Sequence, residues 1–302
     1  MRLLTRSDFD GLACGALLKS IGLIDSVRFV HPKDIQDGLV EAGENDVLAN
    51  IPYIPGCKLW FDHHISERER LGDIQFEGES RIAPSCARVI YDYYGGAGKF
   101  PQFDRMIGAV DKVDSADLTL EEIKNPSGWI LLGFIMDPRT GLGRFRDFRI
   151  SNYDLMLLLM DACAAMEIDQ ILELPDVAER INTYNDQTAK FIEMVAAYSR
   201  VEGDAVVTDL RGVETIYTGN RFMIYSLFPE QNINLWIVDG RGKQNCPIAV
   251  GHSILNRTSK VRVGSLLLKY GGGGHDQVGT CQPMYEQADW VIREILEVIN
   301  GG

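Results

Sequence analysis

Acidic and histidine residues cluster where two short apolar segments of the chain end. Asp8 and Asp10 follow the first segment, and Asp62-His63-His64 follows the apolar run KLWF. Carboxylate oxygens and imidazole nitrogens together suit Mn²⁺ or a similar divalent ion. An acid beside a ligating histidine can also orient the imidazole through its second ring nitrogen. These residue types therefore predict a divalent-cation site, although an ordinary turn at DFDG and a surface loop at DHH would use the same letters.

A further acid for this site can come from the segment IGAVDKVD. An apolar run ends there in Asp111, and Asp114 follows one helical turn later. Either carboxylate can be the fourth ligand, and the spacing leaves both open. A solvated helix face is the alternative explanation for this pair of acids.

A run of glycines near the carboxyl end is the second feature that indicates chemistry. Gly271 is followed by Gly272, Gly273 and Gly274, and then by His275. Consecutive glycines let the backbone approach a ligand closely and direct N–H groups at an anion. We therefore expect a phosphate-binding turn to which His275 adds a donor, with a merely flexible turn as the alternative. The glycine patterns of the Walker and dinucleotide-binding loops are absent from the sequence.

The elements that would position the metal site alternate between strands and helices. Such alternation predicts βαβ units and a mainly parallel sheet. Ligands of an open α/β sheet bind outside the carboxyl ends of its strands, where the acids and histidines are expected. The predicted strands are residues 2–7, 27–30, 46–51 and 58–61, and the predicted helices between or after them are residues 11–20 and 84–94.

The second half of the sequence changes character twice. Residues 115–200 have few strand signals and predict a helical connector. From Gly203 onward four apolar segments predict strands: DAVVTDL, RFMIYSLF, INLWIVDG and CPIAVGHSIL. A final helix is expected at residues 286–299. The sequence thus predicts an α/β domain with its helical connector at residues 1–195, and a smaller mixed-sheet α+β domain at residues 203–302.

Length and charge restrict the partners. The chain has 302 residues, enough for two domains, and a formal net charge of −13. Long duplex DNA is held by basic side chains that neutralise its phosphates, so we expect no such partner. The sequence lacks both an apolar leader and a stretch of about 18 apolar residues, and its six cysteines form no CxxC pair. We therefore expect no membrane partner and a cytoplasmic protein with reduced thiols.

Taken in order, the motifs resemble those of one family. SDFDG, FDHH, VDKVDSAD and SILNRT…KYGGGGHDQVGT occur as in the DHH/DHHA1 phosphoesterase superfamily. The family includes RecJ-type exonucleases, oligoribonucleases, 3′-phosphoadenosine phosphatases, cyclic-dinucleotide phosphodiesterases and exopolyphosphatase-related proteins. The resemblance covers nearly the whole chain. It implies that the first domain is a DHH domain with a parallel sheet and that the second is a DHHA1 domain.

The resemblance also implies roles for individual residues. The family places two metal ions, usually manganese, at the end of the first sheet. His64 would face the substrate as a catalytic residue, with Asp62 beside it. The metal ligands implied are Asp8, Asp10, His63 and Asp111, and the substrate-binding groups implied are Arg257, Gly272, Gly273, Gly274 and His275.

Two positions depart from the family pattern. Leu4 stands where many relatives carry histidine, and Asn50 stands where they carry an aspartate that bridges both ions. An amide is neutral and a poorer bridge than a carboxylate, so Asn50 is a weak metal ligand. We therefore expect Mn²⁺ or Mg²⁺ to bind at one tight site and one weak site.

These features predict an enzyme that hydrolyses a small phosphorylated substrate with metal-activated water. A short single-stranded oligonucleotide, a nucleotide phosphate and polyphosphate all stay open as substrates, and a homodimer is possible. The alternative is a weakly active or non-catalytic sensor that binds a phosphate ligand or nucleotide at the depleted metal site. Turnover of a phosphodiester with added Mn²⁺, lost on His63→Ala, would separate the enzyme from the sensor.

Overall fold

The protein is described by a computed structural model that covers residues 1–64, 67 and 70–301. These residues divide into two compact units, and the division falls inside one long helix. The first unit comprises Met1–Leu118 and Asn125–Asn185, and the second comprises Thr119–Lys124 and Asp186–Gly302. The domain limits expected from the sequence, residues 1–195 and 203–302, stay a prediction.

A parallel sheet forms the centre of the first unit. Among the described residues, five strands follow the order β2-β1-β3-β4-β5, and every neighbouring pair is parallel. Parallel sheets are usually buried on both faces, which explains why β1 and β3 are almost wholly buried. The strands are β1 (Arg2–Thr5), β2 (Ser26–Phe29), β3 (Asp46–Ala49), β4 (Leu59–Asp62) and β5 (Gly78–Ser80).

The helices of the first unit pack around this sheet. Helix α1 contacts α3, α4 and α7, so it lies at the centre of the helical layer. Its residues 9–18 are all buried, which suits its many small side chains. The helices are α1 (Phe9–Ser20), α2 (Pro32–Gln36), α3 (Cys86–Tyr93), α4 (Asp104–Asp114), α6 (Gly128–Met136), α7 (Asn152–Ala165) and α8 (Ile168–Leu172), with α5 (Leu120–Lys124) assigned to the second unit and α9 (Pro175–Tyr198) shared between the units.

Cross-strand packing fixes the register of the three central strands. Leu4 pairs with Leu48, and Leu48 pairs with Trp60, so that these three side chains form one row on the same face. A one-residue slip would turn each of them to the opposite face. The register therefore sets the carboxyl ends of β1, β3 and β4 side by side at one edge of the sheet.

The second unit contains a mixed sheet. Its order among the described residues is β10-β11-β9-β8-β7-β6, in which β7 and β8 are parallel and the other pairs are antiparallel. Buried side chains of this sheet, α11 and α12 form one apolar cluster. The elements are β6 (Ser199–Glu202), β7 (Ala205–Asp209), α10 (Met223–Leu227), β8 (Ile233–Ile237), β9 (Ile248–His252), α11 (Val263–Leu268), β10 (Gly273–Gly274), β11 (Val278–Cys281) and α12 (Ala288–Asn300). The expectation of an α/β unit followed by a mixed-sheet α+β unit is confirmed.

The segment RFMIYSLF, predicted as a strand, forms helix α10 instead. Asn220 explains the difference, because its side-chain oxygen accepts from the N–H of Phe222 at 3.0 Å and its carbonyl accepts from Met223. Its amide nitrogen also donates to the carbonyl of Ile123 at 3.0 Å. This buried asparagine starts a helical turn in a segment whose mainly apolar side chains are too few to show a helical period.

The described part of the chain has no helix that combines the length and apolar character needed to cross a bilayer. Helix α9 is long enough, but it mixes charged and apolar residues along its whole length.

Replacing Gly11 tests how closely helix α1 packs beside strand β1. A Cβ at this position would lie 2.0 Å from the carbonyl oxygen of Arg6, whereas a Cβ at the exposed Gly108 in α4 would meet nothing within 4 Å. We expect Gly11→Ala to lower the free energy of unfolding by about 1–3 kcal/mol through overpacking. Gly108→Ala should raise it by about 0.5–1 kcal/mol through helix propensity. Urea denaturation measures both, and equal effects of the two variants would contradict this docking.

Candidate metal centre

Three neighbouring strands end in the polar residues of the candidate site. Asp8 follows β1, Asn50 follows β3, and Asp62 ends β4 directly before the two histidines. Because these strands are parallel and adjacent, their carboxyl ends lie together, as expected for a ligand site of an open sheet. Asp10 joins them from the first turn of α1.

Asp10 is a buried carboxylate held by the start of another helix. Its side chain accepts from the backbone N–H of Cys86 at 2.9 Å and from that of Ala87 at 2.7 Å. These are the first two residues of α3, whose orphan N–H groups and positive dipole end favour an anion. Asp10 is 2% exposed, so these two donors fix the position of its charge.

His63 presents an unpaired ring nitrogen to two carboxylates. Its Nδ1 lies 3.1 Å from the carbonyl oxygen of Ala83, and a carbonyl only accepts, so Nδ1 carries the proton. The buried Nε2 has no hydrogen-bond partner among the described residues. It lies 3.3 Å from Asp114 and 3.8 Å from Asp10. A cation bound between them would satisfy this lone pair and both carboxylates.

The pKa shifts of Asp10 and Asp114 also favour a bound cation. Burial raises the pKa of Asp10 well above its ordinary range, and the charges of Asp114 and Asp8 raise it further. Burial also raises the pKa of Asp114, although nearby His63 opposes that shift. Two acids that resist ionisation together accept a divalent cation readily, since the ion supplies the missing positive charge.

Asp10, His63 and Asp114 therefore form a candidate cation site. One ligand atom from each residue lies within 4.8 Å of the others. Two carboxylates and one imidazole match the donor preference of Mn²⁺ and related ions. Because the carbonyl of Ala83 holds the proton on Nδ1 of His63, Nε2 is left free to coordinate, as at other metal sites where a carbonyl orients the imidazole.

Asp111, which the resemblance implied as a ligand, lies outside this trio. One oxygen of its carboxylate accepts from the hydroxyl of Ser85 at 2.7 Å, and the other accepts from Arg88 at 2.7 and 2.9 Å. Its charge is thus used in joining α4 to the start of α3. The acid that faces His63 is Asp114, the alternative that the spacing had left open.

Asp62 and His64 form a second pair beside the trio. Nδ1 of His64 lies 2.8 Å from a carboxylate oxygen of Asp62, which is fully buried. Burial lowers the pKa of His64, but the hydrogen bond and charge of Asp62 outweigh it, so this pKa lies above its ordinary value. The pair can therefore hold a proton on a side chain that is one-quarter exposed.

Asp8 and Asn50 occupy the place where the sequence predicted further metal contacts. One oxygen of Asp8 accepts from the N–H of Gly11 at 2.9 Å and from the amide of Asn50 at 3.2 Å. The other oxygen lies 3.0 Å from Nε of Arg6. Asp8 is thus the N-cap of α1 and the partner of a guanidinium, in surroundings that differ from those of the trio.

In the second unit, the glycine run is more ordered than a flexible turn. Gly273 and Gly274 pair with Thr280 and Gly279 as strand β10. A Cβ at Gly272 would lie 2.2 Å from the carbonyl oxygen of Thr280, so close packing explains that glycine.

Hydrogen bonds within the second unit leave fewer backbone N–H groups of the glycine run for a phosphate than the sequence predicted. The N–H of Gly271 donates to Leu268, that of Gly272 donates to Leu267, and that of His275 donates to Val278. These three backbone donors are already used within the unit, and the substrate-binding role expected for Gly272 stays a prediction. The imidazole of His275 and the guanidinium of Arg257, whose Nε donates to the carbonyl of Ile254 at 2.9 Å, stay candidates.

Sequence reasoning missed three residues that shape the site. Ala83 sets the tautomer of His63 through its carbonyl, for which no sequence signal exists. Arg6 and Arg139 bring positive charge. Burial lowers the pKa of Arg139, but its partner Asp137 and the charges of Asp8 and Asp114 outweigh burial and raise it. Arg6 could have been noticed, because it lies two residues before Asp8.

Comparison with solved structures shows a full-length similarity at high sequence identity. The chain is 48% identical to the structure described as the pGpG-specific phosphodiesterase PggH from Vibrio cholerae, with 99% of each chain covered and a TM-score of 0.85. It is 14% identical to RecJ from Thermus thermophilus in complex with Mn²⁺, covering all of this chain and 52% of RecJ, with a TM-score of 0.50, which supports the fold alone. No model of a protein family and no curated protein sequence matches the chain.

The different contacts of Asp114 and Asp111 give opposite predictions for two similar variants. Asp114→Asn should weaken Mn²⁺ binding by at least about 10-fold, because losing even a residue that only orients a ligand costs that much. Asp111→Asn should leave Mn²⁺ affinity within a few-fold and lower the free energy of unfolding by about 1.5–3 kcal/mol, through its bonds to Arg88 and Ser85. Calorimetric titration and urea denaturation measure these effects. A larger loss of Mn²⁺ affinity in Asp111→Asn would reverse the assignment.

Proposed function

Because the chain belongs to the DHH/DHHA1 phosphoesterase superfamily, we propose that it hydrolyses the phosphodiester bond of a short linear guanine dinucleotide such as pGpG. The coarser function is established: the chain is a metal-dependent phosphoesterase of a small phosphorylated substrate. The observation that carries the finer proposal is the 48% identity, over 99% of both chains, to a pGpG-specific phosphodiesterase. An acidic protein with a net charge of −13 suits such a short substrate better than long duplex DNA.

The residues that would hold a divalent cation are Asp10, His63 and Asp114. The unpaired Nε2 of His63, buried between two carboxylates, is the feature that fits a cation. Mn²⁺ or Mg²⁺ is the proposed ion, since two hard carboxylate ligands and one imidazole suit the charge and the size of these ions. When bound, a divalent cation supplies Lewis acidity toward water and phosphoryl oxygens.

Protein side chains supply the remaining chemistry. Asp10 is fixed by two backbone donors of α3, and His63 is fixed by Ala83, so these ligands need no rearrangement to bind. His64, whose proton Asp62 favours, would donate that proton to the leaving oxygen. Asp62 acts through His64, which it orients at 2.8 Å.

Of the two metal sites expected from the sequence, the tight one is proposed for this trio. The weaker one would have to use Asp8, because Asp8 is the remaining buried acid that the resemblance implied. There the approach of an ion is opposed by the guanidinium of Arg6. A site with one firmly bound ion is therefore the proposal that these contacts support.

Substrate binding outside the metal trio is proposed for Arg257 and for the imidazole of His275. Both side chains carry donors that suit a phosphate oxygen or the edge of a guanine base. Residues Gly273 and Gly274 would lie beside them as part of β10. A homodimer and a cytoplasmic location complete the proposal.

A substrate panel tests the proposed specificity. With Mn²⁺, one water should cleave pGpG to two molecules of GMP. A pocket that binds both ends of a dinucleotide loses binding energy when the chain has a different length. The value of kcat/KM for pGpG should be at least about 10-fold above that for longer single-stranded oligonucleotides or for polyphosphate. Chromatography of the products measures it. Faster release of phosphate from polyphosphate would contradict this specificity. Tight binding of pGpG without any turnover would instead support the sensor.

The two adjacent histidines should differ in their roles. His64→Ala should lower kcat about 100-fold or more, since it removes the proton donor, and should leave Mn²⁺ stoichiometry unchanged. His63→Ala should lose both Mn²⁺ binding and activity. Metal analysis of the purified variants, together with steady-state kinetics, separates these outcomes. A His64→Ala enzyme with wild-type kcat would exclude its role as the proton donor.

A further inference from the structure

The carboxylate of Asp8 is neutralised by its neighbours, so it is less available to bind a metal ion than the other acids of the site. Both oxygens of its carboxylate have partners: Gly11 and Asn50 donate to one, and Arg6 lies 3.0 Å from the other. The side chain is only 10% exposed, so the positive charge of Arg6 acts on it with little screening by solvent. A cation that approached Asp8 would have to displace this guanidinium.

Asn50 strengthens this arrangement. Its side chain is 1% exposed, and its amide nitrogen is directed at Asp8 because a carboxylate only accepts hydrogen bonds. Its backbone N–H donates to the carbonyl of Phe61 at 3.1 Å, which holds the residue in place at a positive φ of 59°. The amide thus faces Asp8 with its donor end.

The charges of the site balance with a single divalent ion. Arg6 offsets Asp8, and Asp62 is paired with His64 at 2.8 Å. Asp10 and Asp114 remain, and their two negative charges match one divalent cation. A second divalent ion would add positive charge that no further acid of the described site offsets.

We propose that Arg6, supported by Asn50, takes the place of a second metal ion, so that the protein works with one divalent cation and a guanidinium. Arg6 would then bind a non-bridging oxygen of the scissile phosphate, while the ion binds at Asp10, His63 and Asp114. This rests on the proposed function, because only a phosphoester substrate brings such an oxygen to the site. About a third of the Arg6 side chain is exposed and accessible to that oxygen.

The chemistry of the Arg6 side chain agrees with this role. A guanidinium suits the task, since its planar fork binds carboxylate on one edge and phosphate on another. It also stays charged throughout the cycle, which a proton-exchanging side chain would not.

Metal stoichiometry tests the proposal independently of activity. The full-length protein, stripped with chelator and reloaded with Mn²⁺, should bind about one ion per chain by elemental analysis. Its electron paramagnetic resonance spectrum should show the resolved hyperfine lines of an isolated Mn²⁺ ion. Two ions per chain with an exchange-coupled spectrum in the wild type would overturn the proposal, whatever the variants do.

A double variant should create the missing site. Arg6→Gln with Asn50→Asp removes the guanidinium and adds a carboxylate, so it should raise the stoichiometry to about two and replace the hyperfine lines with a coupled spectrum. Arg2→Gln is the matched control, because Arg2 begins β1 and pairs with Asp46 at 2.8 Å, whereas Arg6 directly follows the other end of that strand. It should keep one ion. A double variant that folds, by circular dichroism, yet still binds one ion would count against the proposal.

Kinetics test the contact of Arg6 with the phosphate. Arg6→Gln should lower kcat/KM for the cleaved phosphodiester about 100-fold at unchanged occupancy of the first ion, and Arg6→Lys should recover part of that loss. Unchanged kinetics in Arg6→Gln would refute this contact. If the wild type binds one ion but cleaves no phosphodiester, the proposed function fails while the single-ion assignment stands.

Discussion

The site depends on the carboxylate of Asp10 resting on the amino end of helix α3. A charge that is 2% exposed is costly unless donors replace its water, and here two backbone N–H groups do so. This contact joins α1 to α3 and fixes one ligand before any ion arrives. Ser85 caps the same helix and also donates to Asp111, so α4 is tied to the same point. The end of α4, where Asp114 lies, is positioned as a result.

The same contacts assign different tasks to chemically similar acids. Asp111 and Asp114 are one turn apart on α4, yet Arg88 and Ser85 occupy the first, and the second faces His63. Asp8 and Asp10 are two residues apart, yet Arg6 neutralises the first and α3 holds the second. In each pair the task follows from the neighbours of the carboxylate, because an acid already bound by a guanidinium gains little from a metal ion.

The glycine run shows how one sequence feature can serve two purposes. Four glycines allow a close phosphate contact, and they equally allow a strand to pack where no Cβ fits. Gly272 and Gly274 would each place a Cβ 2.2 Å from a carbonyl oxygen of β11, so packing alone requires them. The N–H groups of Gly271 and Gly272 donate to carbonyls at the end of α11, and that of His275 donates to Val278 of β11. The side chains of His275 and Arg257 therefore carry more of the proposed phosphate binding than the backbone does.

The sequence by itself determined the parallel sheet, the mixed second sheet and the placement of acids and histidines after strands, since apolar runs and their polar ends are local features. It identified the family from ordered motifs, and it offered Asp114 only as an equal alternative to Asp111. Only the tertiary structure decided between them, because Arg88 reaches Asp111 from another helix. The helical turn at Asn220 and the pairing of Arg6 with Asp8 also depended on three-dimensional contacts. Spacing along a chain tells which side chains can meet, whereas burial and hydrogen-bond partners decide which of them keep a charge available for a ligand.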